Sequence, residues 1–158
     1  MPTYTCWSQR IRLSREVKHR IAEAITDAHT ELAKAPRYLV QVLFNEVEPD
    51  SHFIGGQPAP ESQVWVRADI RAGRTEEQKE ALLLRLTEEI ALLIGIPDEE
   101  VWVYINEIPG RNMTEYGRLL LDPGQEDEWF NSLPEGLRER LQGLEDNCGD
   151  SSGSGRIQ

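Results

Sequence analysis

The chain contains one unit written twice. Displaced by 61 residues, "SREVKHRIAEAITDAHTELAKAPRYLVQVLFNE" lies over "TEEQKEALLLRLTEEIALLIGIPDEEVWVYINE" without a gap. Ser14 falls on Thr75, Glu16 on Glu77, Lys18 on Lys79 and Thr26 on Thr87. Further along, Pro36 falls on Pro97, Val40 on Val101, Val42 on Val103 and Asn45-Glu46 on Asn106-Glu107. A helix start, a proline stop and a strand kept at one offset restrict the fold to two copies of one supersecondary unit.

Each copy reads strand, helix, strand. In the first, "TYTCW" is β-prone, Ser14 can cap the following helix, and Val17, Ile21, Ile25, Ala28 and Leu32 recur on one helical face. Pro36 ends that helix, and "YLVQVLF" has the composition and alternation of a strand. In the second, "QVWVRADI" precedes the capping box Thr75-Glu76-Glu77-Gln78. Leu82, Leu86, Ile90 and Leu93 then line a helix that stops at Pro97, before "VWVYINEI". A helical crossover makes the flanking strands parallel and the connection right-handed. The pattern predicts an α+β fold in which two tandem β-α-β units, (β-α-β)2, form a four-stranded sheet with both helices on one face. The other face, carrying the "VWV" alternation, is too apolar to stay wet, and copies of the same chain are its simplest cover.

The composition shifts suggest one domain over residues 1–145. Unit one takes 2–48, a Gly/Pro/Ser-rich linker 49–62, unit two 63–109, and a C-terminal turn with short helices 110–145. Residues 146–158, "DNCGDSSGSGRIQ", read as a disordered tail. A net charge of −11 argues against a nucleic-acid or anionic-membrane surface. Two cysteines near opposite ends do not make a disulfide framework and fit a reducing compartment. The apolar run "ALLLRLTEEIALLIGI" is broken by charges, and no signal peptide is visible, so the expected location is the cytoplasm.

Several residues can carry chemistry. Pro2 follows the initiator methionine as a small residue that permits its trimming, which would expose a secondary amine. In the repeat register Pro2 lies opposite Gln63, so that amine sits at a strand start, where neighbours can tune it to donate or accept a proton. Arg71 and Arg74, three apart across a glycine beside a helix N-terminus, can converge on one anion. His29 borders the buried face of the first helix, Tyr104 interrupts the last strand, and Glu115 follows a turn in "NMTEYGR". Read singly, each has an ordinary explanation in packing or solvation.

Together they match a family. Residues 2 to about 145 resemble the tautomerase superfamily, and within it the cis-3-chloroacrylic acid dehalogenase group, in which two units are fused in one chain. "MPTYTCWSQRIRLSRE", "YLVQVLFNEVEPDS" and "EIPGRNMTEYGRLL" carry the resemblance beyond the six positions Pro2, His29, Arg71, Arg74, Tyr104 and Glu115. The resemblance implies a homotrimer and a hydratase or hydrolytic dehalogenase of small unsaturated carboxylic acids, working with water and without cofactor or metal. It further implies that Arg71, Arg74 and His29 hold the substrate carboxylate, that Glu115 and Tyr104 activate water, and that Pro2 is the general acid. Two alternatives stay open. One is a keto-enol tautomerase of 2-oxo acids with Pro2 as general base. The other is a non-catalytic interaction protein using the tail or the linker "HFIGGQPAP".

Overall fold

The computed structural model describes residues 2–10 and 13–146. Removal of Met1, and the tail expected over 146–158 apart from its first residue, lie outside the described residues; Asp146 itself is helical. In the first strand, β1 (Thr3–Gln9), Tyr4, Cys6 and Ser8 are buried while Thr3, Thr5 and Trp7 alternate with them. Ser14 Oγ accepts the Val17 N–H at 3.2 Å to start α1 (Arg15–Ala33), and the helix ends at Lys34 with φ 55°.

The next strand starts later than its composition suggested. After Pro36, the Leu39 N–H donates to the Pro36 carbonyl and the Val40 N–H to that of Arg37. This turn of 3₁₀ helix draws Leu39 into a core, and β2 (Gln41–Val47) begins only beyond it. The linker is not wholly irregular either. It carries a short hairpin, β3 (Phe53–Ile54) and β4 (Gln57–Pro58), turning through Gly55 and Gly56, both at positive φ.

The second copy follows as β5 (Val64–Arg71), α2 (Glu76–Ile94) and β6 (Val101–Ile108), with the Thr75–Gln78 capping box formed in both directions. Both helices are 19 residues long and start at the repeat offset. The same offset relates two ion pairs, Lys18–Glu46 at 3.0 Å and Lys79–Glu107 at 2.9 Å, each tying a helix to the strand after it. A hairpin of β7 (Thr114–Glu115) and β8 (Arg118–Leu119) precedes α3 (Glu126–Asn131) and α4 (Glu135–Asp146).

The sheet order is β2-β1-β5-β6. Its outer pairs are parallel, as the crossovers demand, and the units meet antiparallel at β1 and β5, where Thr3 faces Asp69 and Trp7 faces Trp65. Tyr4, Val66, Ile21, Ile25, Leu82 and Leu86 form the core between the sheet and both helices. A smaller core of Leu39, Leu120, Trp129, Leu133 and Leu141 fastens the C-terminal helices.

On the far face Trp7 stacks on Trp65 at 4.4 Å between ring centroids, and Tyr104 meets Trp65 edge-on at 5.7 Å. Val101 and Val103 join the helix-side core, so the last strand shows Trp102 and Tyr104 outward. The aromatic stripe is flanked by polar groups, where Asp69 accepts from Arg67 and from Asn106 at 2.8 Å. No helix among the described residues is long and apolar enough to cross a membrane.

Candidate active site

Antiparallel pairing of β1 with β5 brings the start of one unit beside the end of the other. Pro2 and Arg71 therefore lie at the same end of the two central strands, although 69 positions separate them in the chain. Pro2 is fully buried, and its carbonyl accepts the Gln41 N–H at 3.0 Å. Beside it opens a cleft of about 560 Å³ whose walls include Thr3, Gln41, Leu39 and Glu115. Glu115 is presented by the β7–β8 hairpin, and the Tyr116 hydroxyl fastens that hairpin by donating to the Tyr38 carbonyl at 2.7 Å. Burial raises the Glu115 carboxyl above its ordinary range, while the positive amino terminus and Arg71 pull the other way.

His29 is buried in α1, and its Nδ1 lies 2.8 Å from the hydroxyl of Tyr4 on β1. Burial lowers the imidazole pKa to about 3, with the charges of Arg74 and the amino terminus acting in the same direction. The ring is therefore neutral at physiological pH. Neither Tyr4 nor its neighbourhood has a motif spacing, so only β alternation could have placed it on the helix side of the sheet.

The two arginines are held differently. Arg71, 4% exposed, donates through Nη1 to the Leu121 carbonyl at 2.8 Å and forms an ion pair through Nη2 with Glu126 on α3. Glu126 is in turn fixed by the Gly124 N–H at 2.8 Å. Its link to Arg71 joins elements far apart in sequence and left no signal there. Arg74 is half-buried, and burial, then Arg71, lowers its pKa. The Nε–H groups of Arg71 and Arg74 are both buried without an acceptor among the described residues.

Gly73 sets the spacing between these side chains: its φ is 111°, and a Cβ there would stand 2.7 Å from Pro123. Glu107, its carboxyl lowered chiefly by Lys79, also accepts from the backbone N–H groups of Gly73 and Arg74 and so secures the loop.

Five of the six sequence candidates thus gather around one end of the sheet's central strands. Tyr104 does not. It stands 52% exposed on the aromatic face, against Trp65. The repeat does not copy this set into the other unit, where only Arg10 stands at the position displaced from Arg71. At the displaced positions Gln63 replaces Pro2, Ile90 replaces His29 and Leu13 stands for Arg74.

A family model described as "Putative oxalocrotonate tautomerase enzyme" matches residues 1–131. The chain belongs to the tautomerase superfamily. A "Probable tautomerase" of Bacillus cereus is 34% identical over 58 residues, which is 95% of that protein and 37% of this chain. Such a relative is roughly one repeat unit long. Among solved structures, N1, a member of the cis-3-chloroacrylic acid dehalogenase family, is 48% identical and superposes with a TM-score of 0.87 over 89% of this chain and 99% of its own. The resemblance to that group, drawn from the sequence, is borne out. The fused 4-OT called F6, solved as an asymmetric trimer, is 27% identical with a TM-score of 0.69, over 74% of this chain and 94% of its own.

The neutral state of His29 has a consequence for stability. Its folded pKa lies below the unfolded value of 6.5, so its stabilisation is complete above pH 6.5 and is lost as the pH falls towards about 3. The loss amounts to about 1.4 kcal/mol per pH unit in that window. Urea unfolding at pH 7 and pH 5 should therefore show a drop about 2 kcal/mol smaller in His29→Gln than in the parent. Equal drops would mean that the ring is not held neutral.

Proposed function

We propose that the chain adds water to 2,3-unsaturated or acetylenic carboxylic acids and hydrolytically dehalogenates their 3-halo forms, converting cis-3-chloroacrylate to malonate semialdehyde. The observation that supports this most is the pair of buried, acceptor-less guanidinium N–H groups on Arg71 and Arg74, at the end of the sheet that also carries Pro2 and Glu115. Buried donors without partners favour an anion in their reach, and a carboxylate bound there would draw electron density from C-3 of a conjugated acid.

A carboxyl raised by burial is also a stronger base than an ordinary one. In the proposed reaction Glu115 takes a proton from water as its oxygen bonds to C-3. Pro2, with its methionine removed and its ring nitrogen protonated, then delivers a proton to C-2. With chlorine on C-3 the adduct is a chlorohydrin that expels HCl to leave the aldehyde.

A second reading is keto-enol tautomerisation of 2-oxo acids with neutral Pro2 as base. The one-unit "Probable tautomerase" relative favours it, and so does the positive charge of Arg74, which disfavours an ammonium nearby.

Glu115→Gln separates the two readings, since it keeps the side chain's shape and removes the base. Hydration of propiolate and dechlorination of cis-3-chloroacrylate should fall by at least about a hundredfold, the usual scale of a general base. Ketonisation of phenylenolpyruvate should persist or rise, because the loss of a negative neighbour leaves more Pro2 neutral. If all three activities fell together, Glu115 would have no part in water activation.

Assembly belongs to the same proposal. Trp7, Trp65, Trp102 and Tyr104 form the aromatic face, and at about 25 cal/mol per Å² their burial favours association. Three copies closing over this face would let the Tyr104 of one copy approach the site of another, which it cannot do within its own chain. Light scattering should give a trimer, and Trp102→Glu should give smaller species with reduced hydration. A monomeric parent, or a dissociated variant with full activity, would contradict this arrangement.

A further inference from the structure

The only hydrogen bond to the His29 ring among the described residues comes from a phenol on the neighbouring strand. Tyr4 Oη and His29 Nδ1 are 2.8 Å apart, the rings meet edge-on at 5.8 Å, and both residues are almost wholly buried. Two hydrogen positions fit that distance. Either the phenol O–H donates to Nδ1, or an Nδ1–H donates to the phenol oxygen.

In the second case the phenol's own proton has no acceptor among the described residues, at a depth where an unmade hydrogen bond is costly. In the first case the phenol O–H and Nδ1 satisfy each other, and the one group left without a partner among the described residues is the Nε2–H donor, which a bound anion can accept from. A cationic ring would require the second arrangement, and burial beside Arg74 disfavours that cation. Burial likewise keeps the phenol protonated.

We infer that Tyr4 is a positioning residue that locks His29 as its Nε2–H tautomer, making the ring a fixed, neutral hydrogen-bond donor towards a bound carboxylate. The donor role rests on the proposed function; the tautomer lock does not. The lock also assigns His29 a single task. Nδ1 is occupied and Nε2 already carries its proton, so the ring orients an anion and takes no proton from water or substrate. Arg74 then supplies charge and His29 supplies direction.

Long-range ¹H–¹⁵N correlation spectra of the full, methionine-processed chain with labelled histidine test this directly. At pH 7 the His29 ring should show a protonated Nε2 and a hydrogen-bonded acceptor Nδ1. A protonated Nδ1, alone or as imidazolium, would overturn the lock. Propionate, a saturated acid that cannot be hydrated, then serves as the probe and should shift the His29 Nε2–H signal as it saturates. An unmoved Nε2–H, while Arg74 Nε–H responds, would overturn the donor role.

In Tyr4→Phe the second tautomer should appear and the propionate Kd should rise about fivefold, the scale of one lost hydrogen bond. A single Nε2–H tautomer with an unchanged Kd would show that Tyr4 positions nothing. The spectra of the parent decide the lock even if that variant does not fold. If no unsaturated acid is turned over, the proposed function fails while the tautomer result stands.

Discussion

Everything at the candidate site depends on the antiparallel junction between β1 and β5. Within each unit the helical crossover makes the strands parallel, which sends the start of one strand and the end of the next to opposite ends of the sheet. Joining two units back to back reverses one of them. Pro2, at the head of the first strand, then lies at the same end of the sheet as Arg71, at the tail of β5, and His29 and Arg74 are electrostatically close to one another there. A single unit supplies only half of this set. The duplicated helices, caps and ion pairs keep the scaffold symmetric, while the candidate residues are found at one end only.

The electrostatics of that end follow from burial. Burial, then the positive charges of Arg74 and the amino terminus, keeps His29 neutral. One negative group, Glu126, is spent on Arg71 and anchors the C-terminal helices to the clamp. Glu115 is acted on by the amino terminus and Arg71, yet its carboxyl is raised, because the loss of water outweighs their attraction. Such an arrangement favours an anion beside the guanidinium groups and raises the basicity of the Glu115 carboxylate.

Much of the fold was legible because duplication writes each signal twice. Ser14 and Thr75, Pro36 and Pro97, and the two helix faces confirm one another at one offset. Local hydrogen bonding overrode composition at Tyr38 and Leu39, where the chain turns before its strand begins. Gly55-Gly56 turned part of the linker into a hairpin that had read as a seam. At the site, residues fixed by strand ends and helix starts could be placed in advance. Tyr4 and Glu126 could not, since each acts through a partner distant in sequence, 25 and 55 positions away. Tyr104 shows the limit most clearly: strand alternation sends it to the aromatic face, and no contact among the described residues returns it to the cleft.

In the proposed mechanism a free amine on Pro2 does the chemistry at this end of the sheet. An acetylenic 2-oxo acid tests it directly, because such a reagent accepts a secondary amine by conjugate addition and adds its whole mass to the protein. Peptide mapping by mass spectrometry, run beside a turnover assay on cis-3-chloroacrylate, should find one adduct per chain, on the proline nitrogen of a chain lacking Met1. Activity should fall in proportion to labelling. Full turnover by the labelled protein, or by a chain that retains Met1, would contradict the account.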